Sequence, residues 1–342
     1  MLRISYRTGL IAVAVLALLP TAIALVFFDG PAQLAGLPFS SKILALAGMA
    51  ACFSIIPITL KAAREKRPSP IGFLIETIKS RPSSVLVPAG LIILSSYPSS
   101  TFSFLKNSIP KFVPFYADPF FVSADRWLFL GTDPWRISHA IIGPSGTIFL
   151  DKVYIAWFAV IPLLAVWICA SNDRTFQLRG ILTIFFMWIV LGNFAAMALS
   201  SCGPVFYEEF YQSDYYKPLM AELNRVDRIS SLSMIQISEW LLEMRRSGGF
   251  GTGISAMPSL HVAIAYFAFL VVWDRYRTTW AVSTSGIFAL LIWIGSFHLA
   301  WHYAWDGIVS VVAVWAFWRL LGFVEIVSPE AQENALSASE QT

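Results

Sequence analysis

The chain's clearest chemistry lies in its histidines and one buried-looking aspartate. His261 closes the run Met257-Pro258-Ser259-Leu260-His261, which opens an apolar stretch. Proline is tolerated in a first helical turn, where its missing N–H is not needed. The free N–H groups of such a turn point outward and favour an anion. His298, His302 and Asp306 follow at intervals of four, so a continuous helix would set all three on one face. An aspartate one turn after a histidine can accept from one ring nitrogen and fix the tautomer, leaving the other nitrogen free as a nucleophile. Asp306 sits about three residues inside an apolar run, where a carboxylate is costly and normally functional. His139 reads as a tolerated polar aromatic at a membrane interface. His298, His302 and Asp306 could also be read as zinc ligands, but the expectation is no metal and no cofactor.

Composition says what must position these groups. Of 342 residues, 57% are hydrophobic, 15% aromatic and only 13% charged, against about 25% charged in soluble domains. The mean hydropathy is +0.66. A soluble enzyme, a disordered chain, a nucleic-acid binder and a disulfide scaffold are therefore excluded as starting points. The net charge of +3 does not call for a polyanionic partner. Cys52, Cys169 and Cys202 imply no intrachain disulfide, since two lie in apolar runs. A bilayer core of about 30 Å needs about 20 apolar residues per helix. Eight segments qualify: 8–28, 41–61, 83–105, 148–170, 177–200, 257–274, 278–298 and 303–324. They are too long for barrel strands and show no alternation of period two. The first could be a signal peptide, but its apolar run exceeds the usual 7–15 residues and no small-residue cleavage site ends it, so a retained span is expected.

Basic residues set the expected orientation. With the N-terminus in the cytoplasm, the inner segments hold Arg3, Arg7, Lys61–Arg67, Lys79, Arg81, Arg174, Arg179, Arg275, Arg277 and Arg319. Both termini then lie in the cytoplasm of an inner (plasma) membrane, and all four histidines fall at the outer, periplasmic face. The polar tail 328–342 reads as disordered. Two outer segments are long. Residues 106–147 carry Trp127, Phe129 and Trp135, which suggest a helix lying in the interface. Residues 201–256 hold Lys217, Arg225, Arg228, Arg245 and Arg246 and end in the run Gly248–Gly253. That run is either a phosphate-binding nest of N–H groups or a flexible turn. The chain has no internal repeat of the kind secondary transporters carry.

The histidine motifs resemble the type 2 phosphatidic acid phosphatase superfamily, which includes the vanadium haloperoxidases. The family's Pro-Ser-Gly-His motif reads Pro258-Ser259-Leu260-His261 here. Its Ser-Arg, five residues, His, three residues, Asp motif is matched at its end by His302-Tyr303-Ala304-Trp305-Asp306, while the Ser-Arg position falls on Gly295-Ser296. Near the fifth span, Cys202-Gly203-Pro204-Val205-Phe206-Tyr207-Glu208 keeps the proline of the first motif but neither its lysine nor its arginine. These departures resemble the branch that contains fungal inositol phosphorylceramide synthase, except that Trp301 stands where that branch has the first histidine of its His-His pair. The resemblance covers roughly residues 150–325.

The resemblance implies an all-α polytopic membrane helical bundle of about eight transmembrane helices around a six-helix catalytic core. Three segments are expected: an N-terminal hairpin with its basic loop (1–82), the catalytic membrane domain (83–327) and the tail (328–342). It implies a phosphotransferase that works through a phosphohistidine. His302 is the expected nucleophile, Asp306 its orienting partner and His261 the general acid and base. Ser259 and the N–H groups beside it would hold phosphoryl oxygens. Arg225, Arg228, Arg245 and Arg246 are the candidates to replace the missing cations, against the plainer reading of solvated loop charges. Pro204, Tyr207 and His298 are expected to touch substrate. The expected partners are a membrane lipid substrate and the bilayer, with no nucleic acid. The competing readings are a lipid phosphatase acting on phosphatidate or polyprenyl diphosphate, and a non-catalytic transporter or scaffold.

Overall fold

The computed structural model describes residues 2–27, 41–66, 69–80, 82–247 and 253–327. The expected tail 328–342 and residues 248–252 of the glycine run lie outside them. Long apolar runs free of charge form helices because only a helix satisfies its own backbone in hydrocarbon. The helices are α1 (Tyr6–Phe27), α2 (Ser41–Arg64), α3 (Pro70–Ser80), α4 (Ser83–Phe112), α5 (Asp118–Leu128), α6 (Pro134–Ile141), α7 (Pro144–Cys169) and α8 (Arg174–Ala198). After them come α9 (Tyr207–Tyr211), α10 (Lys217–Asp227), α11 (Ser233–Arg246), α12 (Leu260–Arg275), α13 (Thr279–His298) and α14 (Ala304–Leu321). The protein is an all-α polytopic membrane protein in which helix covers most of each of the eight expected spans.

Among the described residues, six helices are long and apolar enough to cross a bilayer: α1, α4, α7, α8, α13 and α14. The other two expected spans differ. In α2 the described apolar stretch is Ile43–Ile56. α12 has 16 residues, or about 24 Å at 1.5 Å per residue, because residues 257–259 of the expected run form a non-helical bend that leads into it. The all-α expectation also missed two short strands. β1 (Leu2–Ser5) pairs in parallel with β2 (Val324–Val327), Leu2 opposite Val324. The eighth span was expected to run to 324, but α14 ends at Leu321 and the chain turns into β2.

The chain divides into two compact units. The first comprises 1–101, 162–185 and 316–342. In it α1 packs on the first half of α8, Tyr6 donates to Gln177, and the Arg179 guanidinium lies 3.6 Å over the Trp318 ring while donating to its carbonyl. The second comprises 102–161 and 186–315 and holds every histidine. There α12 packs along α13, and α8 meets α12 through a π-helical stretch, Phe186–Ala195. Gly192 lies in that stretch; a Cβ there would stand 2.6 Å from the Phe102 ring and 3.3 Å from Leu260. Such widened turns recur at functional sites.

The outer segment 106–147 is two short amphipathic helices, not one. Leu130 and Gly131, both at positive φ, break α5 from α6. Phe121 and Val122 face inward, while Phe120, Trp127 and Leu130 are exposed, as suits a surface against lipid. Trp135 is buried instead.

Candidate active site

His302 does not lie on a continuous helix with His298. α13 ends at His298, Ala300 turns the chain at φ +63°, and α14 starts at Ala304. His302 and Asp306 meet all the same, because the new helix's first turn brings the carboxylate back over the loop. His302 Nδ1 lies 2.7 Å from the Ala256 carbonyl and 3.2 Å from Asp306 Oδ2. Both partners accept, so Nδ1 carries the proton and Nε2 keeps its lone pair. Asp306 Oδ2 also takes the Tyr303 N–H at 3.1 Å. Burial, with the charge of Lys106, lowers the His302 pKa to about 3, so the imidazole is neutral at pH 7.

His261, in the first turn of α12, stands edge to face with His302, ring centroids 5.7 Å apart. Its ring is held between Tyr154 (4.5 Å) and Trp157 (4.1 Å) of α7. At that spacing one phosphoryl group is within reach of both imidazoles. Ser259 caps α12, its Oγ accepting the Val262 N–H at 3.4 Å. The hydroxyl proton stays available to a phosphoryl oxygen.

The other expected site residues are placed differently. Both ring nitrogens of His298 are taken, Nδ1 by Ser138 (2.8 Å) and Nε2 by Thr147 (2.9 Å). His139 stacks on it at 3.8 Å and bonds its carbonyl. His298 therefore anchors the outer end of α13 and has no ring nitrogen left for substrate. Arg225 is exposed and paired with Glu222 one turn earlier (2.6 and 2.9 Å). Arg246 is exposed and paired with Glu209 (2.9 Å). Arg245 lies 5.1 Å over the Phe210 ring, and Arg228 is exposed. No described contact joins these arginines to the histidines. Pro204 and Tyr207 are buried in the loop assembly, Tyr207 stacked on Tyr211 at 4.7 Å.

What holds the site together is a set of aspartates that composition alone does not single out. Asp118, fully buried, accepts the N–H groups of Cys202 (3.0 Å) and Gly203 (2.8 Å) and the hydroxyls of Tyr211 (3.1 Å) and Tyr303 (2.8 Å). Asp125 takes the first free N–H groups of α14, from Ala304 (2.9 Å) and Trp305 (3.0 Å). Asp151 does the same for α11 through Ser233 and Met234, both at 3.0 Å. Each supplies acceptor oxygens to the N–H groups that a helix or turn N-terminus leaves free.

A profile of the PAP2 superfamily matches residues 120–320, more than half of the chain. The chain belongs to the PAP2 superfamily. No curated protein and no solved structure matches it. Membership brings phosphatase or phosphotransferase chemistry on phosphate-bearing lipids. In this PAP2 protein the loop that carries the first motif is stitched to the His302 loop by Val205 N–H to Ala300 O at 2.8 Å.

Gly203 makes that approach possible. Its φ is +85°, and a Cβ there would stand 2.7 Å from the Trp301 carbonyl oxygen. Gly203→Ala is expected to cost about 3 kcal/mol through strain and backbone displacement. The thermal midpoint in detergent checks it; an unchanged midpoint would show that the loop yields freely.

Asp125 gives a pH signature. Burial pushes its carboxyl up to about 7, the Ala304 and Trp305 N–H groups oppose this, and Asp306 and Asp133 add to it. The unfolded group titrates near 3.9, so between about pH 4 and 7 the folded chain holds a proton that the unfolded chain has lost. Stability accordingly falls as pH rises through that window, by about 4 kcal/mol at most, and is level above it. The slope is expected to be absent from Asp125→Asn, and melting curves of both proteins from pH 4 to 8 compare them.

Proposed function

We propose that this protein is a membrane-embedded phosphotransferase acting on lipid phosphate headgroups through a phosphohistidine, as in the inositol phosphorylceramide synthase branch. The carrying observation is the His302 imidazole, pinned at Nδ1 by Ala256 and Asp306 with Nε2 free and His261 beside it. Nε2 attacks phosphorus, the bond to the leaving alcohol breaks, and His261 gives that oxygen a proton. His261 then takes a proton from the acceptor hydroxyl, which attacks phosphorus as the P–N bond breaks. Asp306 offsets the charge that His302 gains in the intermediate. Ser259 and the N–H groups opening α12 hold the phosphoryl oxygens.

The site sits at span ends, which suits a substrate whose tails stay in the bilayer. We place it at the outer face of the inner (plasma) membrane, with both termini in the cytoplasm. Purified protein given phospholipid labelled in the headgroup, with candidate lipid alcohols, is expected to yield a new labelled lipid identified by mass. Released inorganic phosphate without such a product would favour the lipid phosphatase. Neither product would leave a transporter or scaffold.

A further inference from the structure

The superfamily motif's lysine and arginines are missing; Arg225, Arg245 and Arg246 are engaged elsewhere and Arg228 is exposed, with no described contact to the histidines. Something else must answer the phosphate's charge. Lys106 opens the outer segment 106–147. The structure continues α4 seven residues past the expected end at 105, to Phe112, and so carries Lys106 on a rigid helix. Its ammonium lies 5.4 Å over the Phe102 ring, the ring that also abuts Gly192 beside Leu260, next in sequence to His261. From the other side Gly253, which leads into the His261 motif, presses on the Lys106 backbone: a Cβ there would stand 2.4 Å from the Lys106 carbonyl carbon. Among the described residues the Lys106 ammonium has no hydrogen-bond partner and no acidic partner. Its charge acts on both His261 and His302.

Two further groups around His261 lack partners. Tyr154 and Trp157 are 3% and 5% exposed, and neither the Tyr154 hydroxyl nor the Trp157 indole N–H has a hydrogen-bond partner among the described residues. Both rings are in contact with the His261 ring, and Tyr154 also packs against Gly295 of α13 and lies within the field of Asp306. Buried polar groups are ordinarily bonded, so unsatisfied ones beside reactive groups call for an explanation.

We infer that Lys106, the Tyr154 hydroxyl and the Trp157 N–H form the phosphate subsite of this protein, and that it selects a singly charged phosphodiester over a doubly charged phosphomonoester. Lys106 supplies one standing positive charge. In the resting site His302 is neutral, and the charge of the proton that His261 carries as acid is offset by the Asp306 carboxylate, so neither adds to that count. A phosphomonoester carries about −1.5 to −2 at pH 7, whereas a diester carries one negative charge. One lysine balances the diester, and two uncharged donors serve its oxygens without adding charge. The inference rests on the phosphotransferase reading of the same site and names its donor class.

The test uses full-length protein carrying His302→Asn, so that probes persist, and measures binding in detergent. The probes are dihexanoyl phosphatidylmethanol, a diester, and dihexanoyl phosphatidate, the monoester that differs by one methyl group and one charge. The diester is expected to bind about tenfold tighter or more. Lys106→Met is expected to weaken it about tenfold or more and Lys106→Arg to restore most of the loss, as for a charge-assisted contact. Tyr154→Phe and Trp157→Phe are each expected to weaken it about fivefold, as for one neutral hydrogen bond. Tighter binding of phosphatidate, or unchanged binding in Lys106→Met, overturns the inference. If wild-type protein transfers headgroups while Lys106→Met binds and works normally, the subsite falls and the phosphotransferase stands. If the binding pattern holds but wild-type protein transfers nothing, the reverse is true.

Discussion

Replacing His302 by alanine is expected to abolish phosphoryl transfer, with a fall in kcat of about 10⁴-fold or more, as when a covalent nucleophile is removed. Nε2 is the atom at stake. Nδ1 is committed to Ala256 and Asp306, so no other nitrogen of that ring can serve. His298 cannot substitute, because Ser138 and Thr147 hold both of its nitrogens. The chemical signature separates this from a folding defect. Wild-type protein mixed briefly with a ³²P-labelled ester is expected to carry label in an acid-labile, base-stable bond, and His302→Ala to carry none. His261→Ala should behave differently. With a natural lipid alcohol as leaving group, turnover is expected to fall about 10²- to 10⁴-fold, the usual worth of a general acid–base group. With a nitrophenyl ester, whose leaving group needs no proton, the first step proceeds and label accumulates, since the acceptor is no longer deprotonated. Label on His302→Ala would end the phosphohistidine reading.

The parts of this site that could be read from sequence are those in which partners are close along the chain. Pro258-Ser259-Leu260-His261 at the head of a helix, and Asp306 four residues after His302, are local patterns, and the structure brings these residues together. A spacing of four suggests one helix face, but the helix stops at His298 and the turn at Ala300 has no sequence signal, since alanine at φ +63° is uncommon. His298 therefore shares no helix face with His302 and Asp306. Charge alone singles out the loop arginines, whereas Glu222 one turn before Arg225 is a visible sign of a local ion pair. Lys106, Asp118 and Asp125 were not legible. Lys106 depends on α4 outrunning its apolar stretch. Asp118 binds groups 84 to 185 positions away, and Asp125 groups 179 and 180 away. In sequence these residues are only the polar part of an interfacial segment.

The consequence is that Asp118, which touches neither histidine, is expected to matter more to this protein than any of the four arginines. Its carboxylate is the common acceptor for two backbone N–H groups and two tyrosine hydroxyls, and it is fully buried. Asp118→Ala leaves four donors without an acceptor. Each buried unsatisfied donor costs about 1–3 kcal/mol, so even with partial relaxation the loss is expected to reach about 4 kcal/mol, or about 10 °C in thermal midpoint. Activity should fall with it, because Tyr303 both donates to Asp118 and, through its N–H, to the Asp306 carboxylate that holds His302. Asp118→Asn keeps the shape but turns an amide N–H₂ toward one donor, so an intermediate loss is expected. Tyr303→Phe removes a single donor and should cost least. Arg225→Ala and Arg246→Ala break only exposed ion pairs of small worth and should leave midpoint and turnover unchanged. Melting curves of the purified variants in one detergent order these effects. A midpoint for Asp118→Ala equal to that of Arg225→Ala would mean that the buried carboxylate does not hold the two loops together.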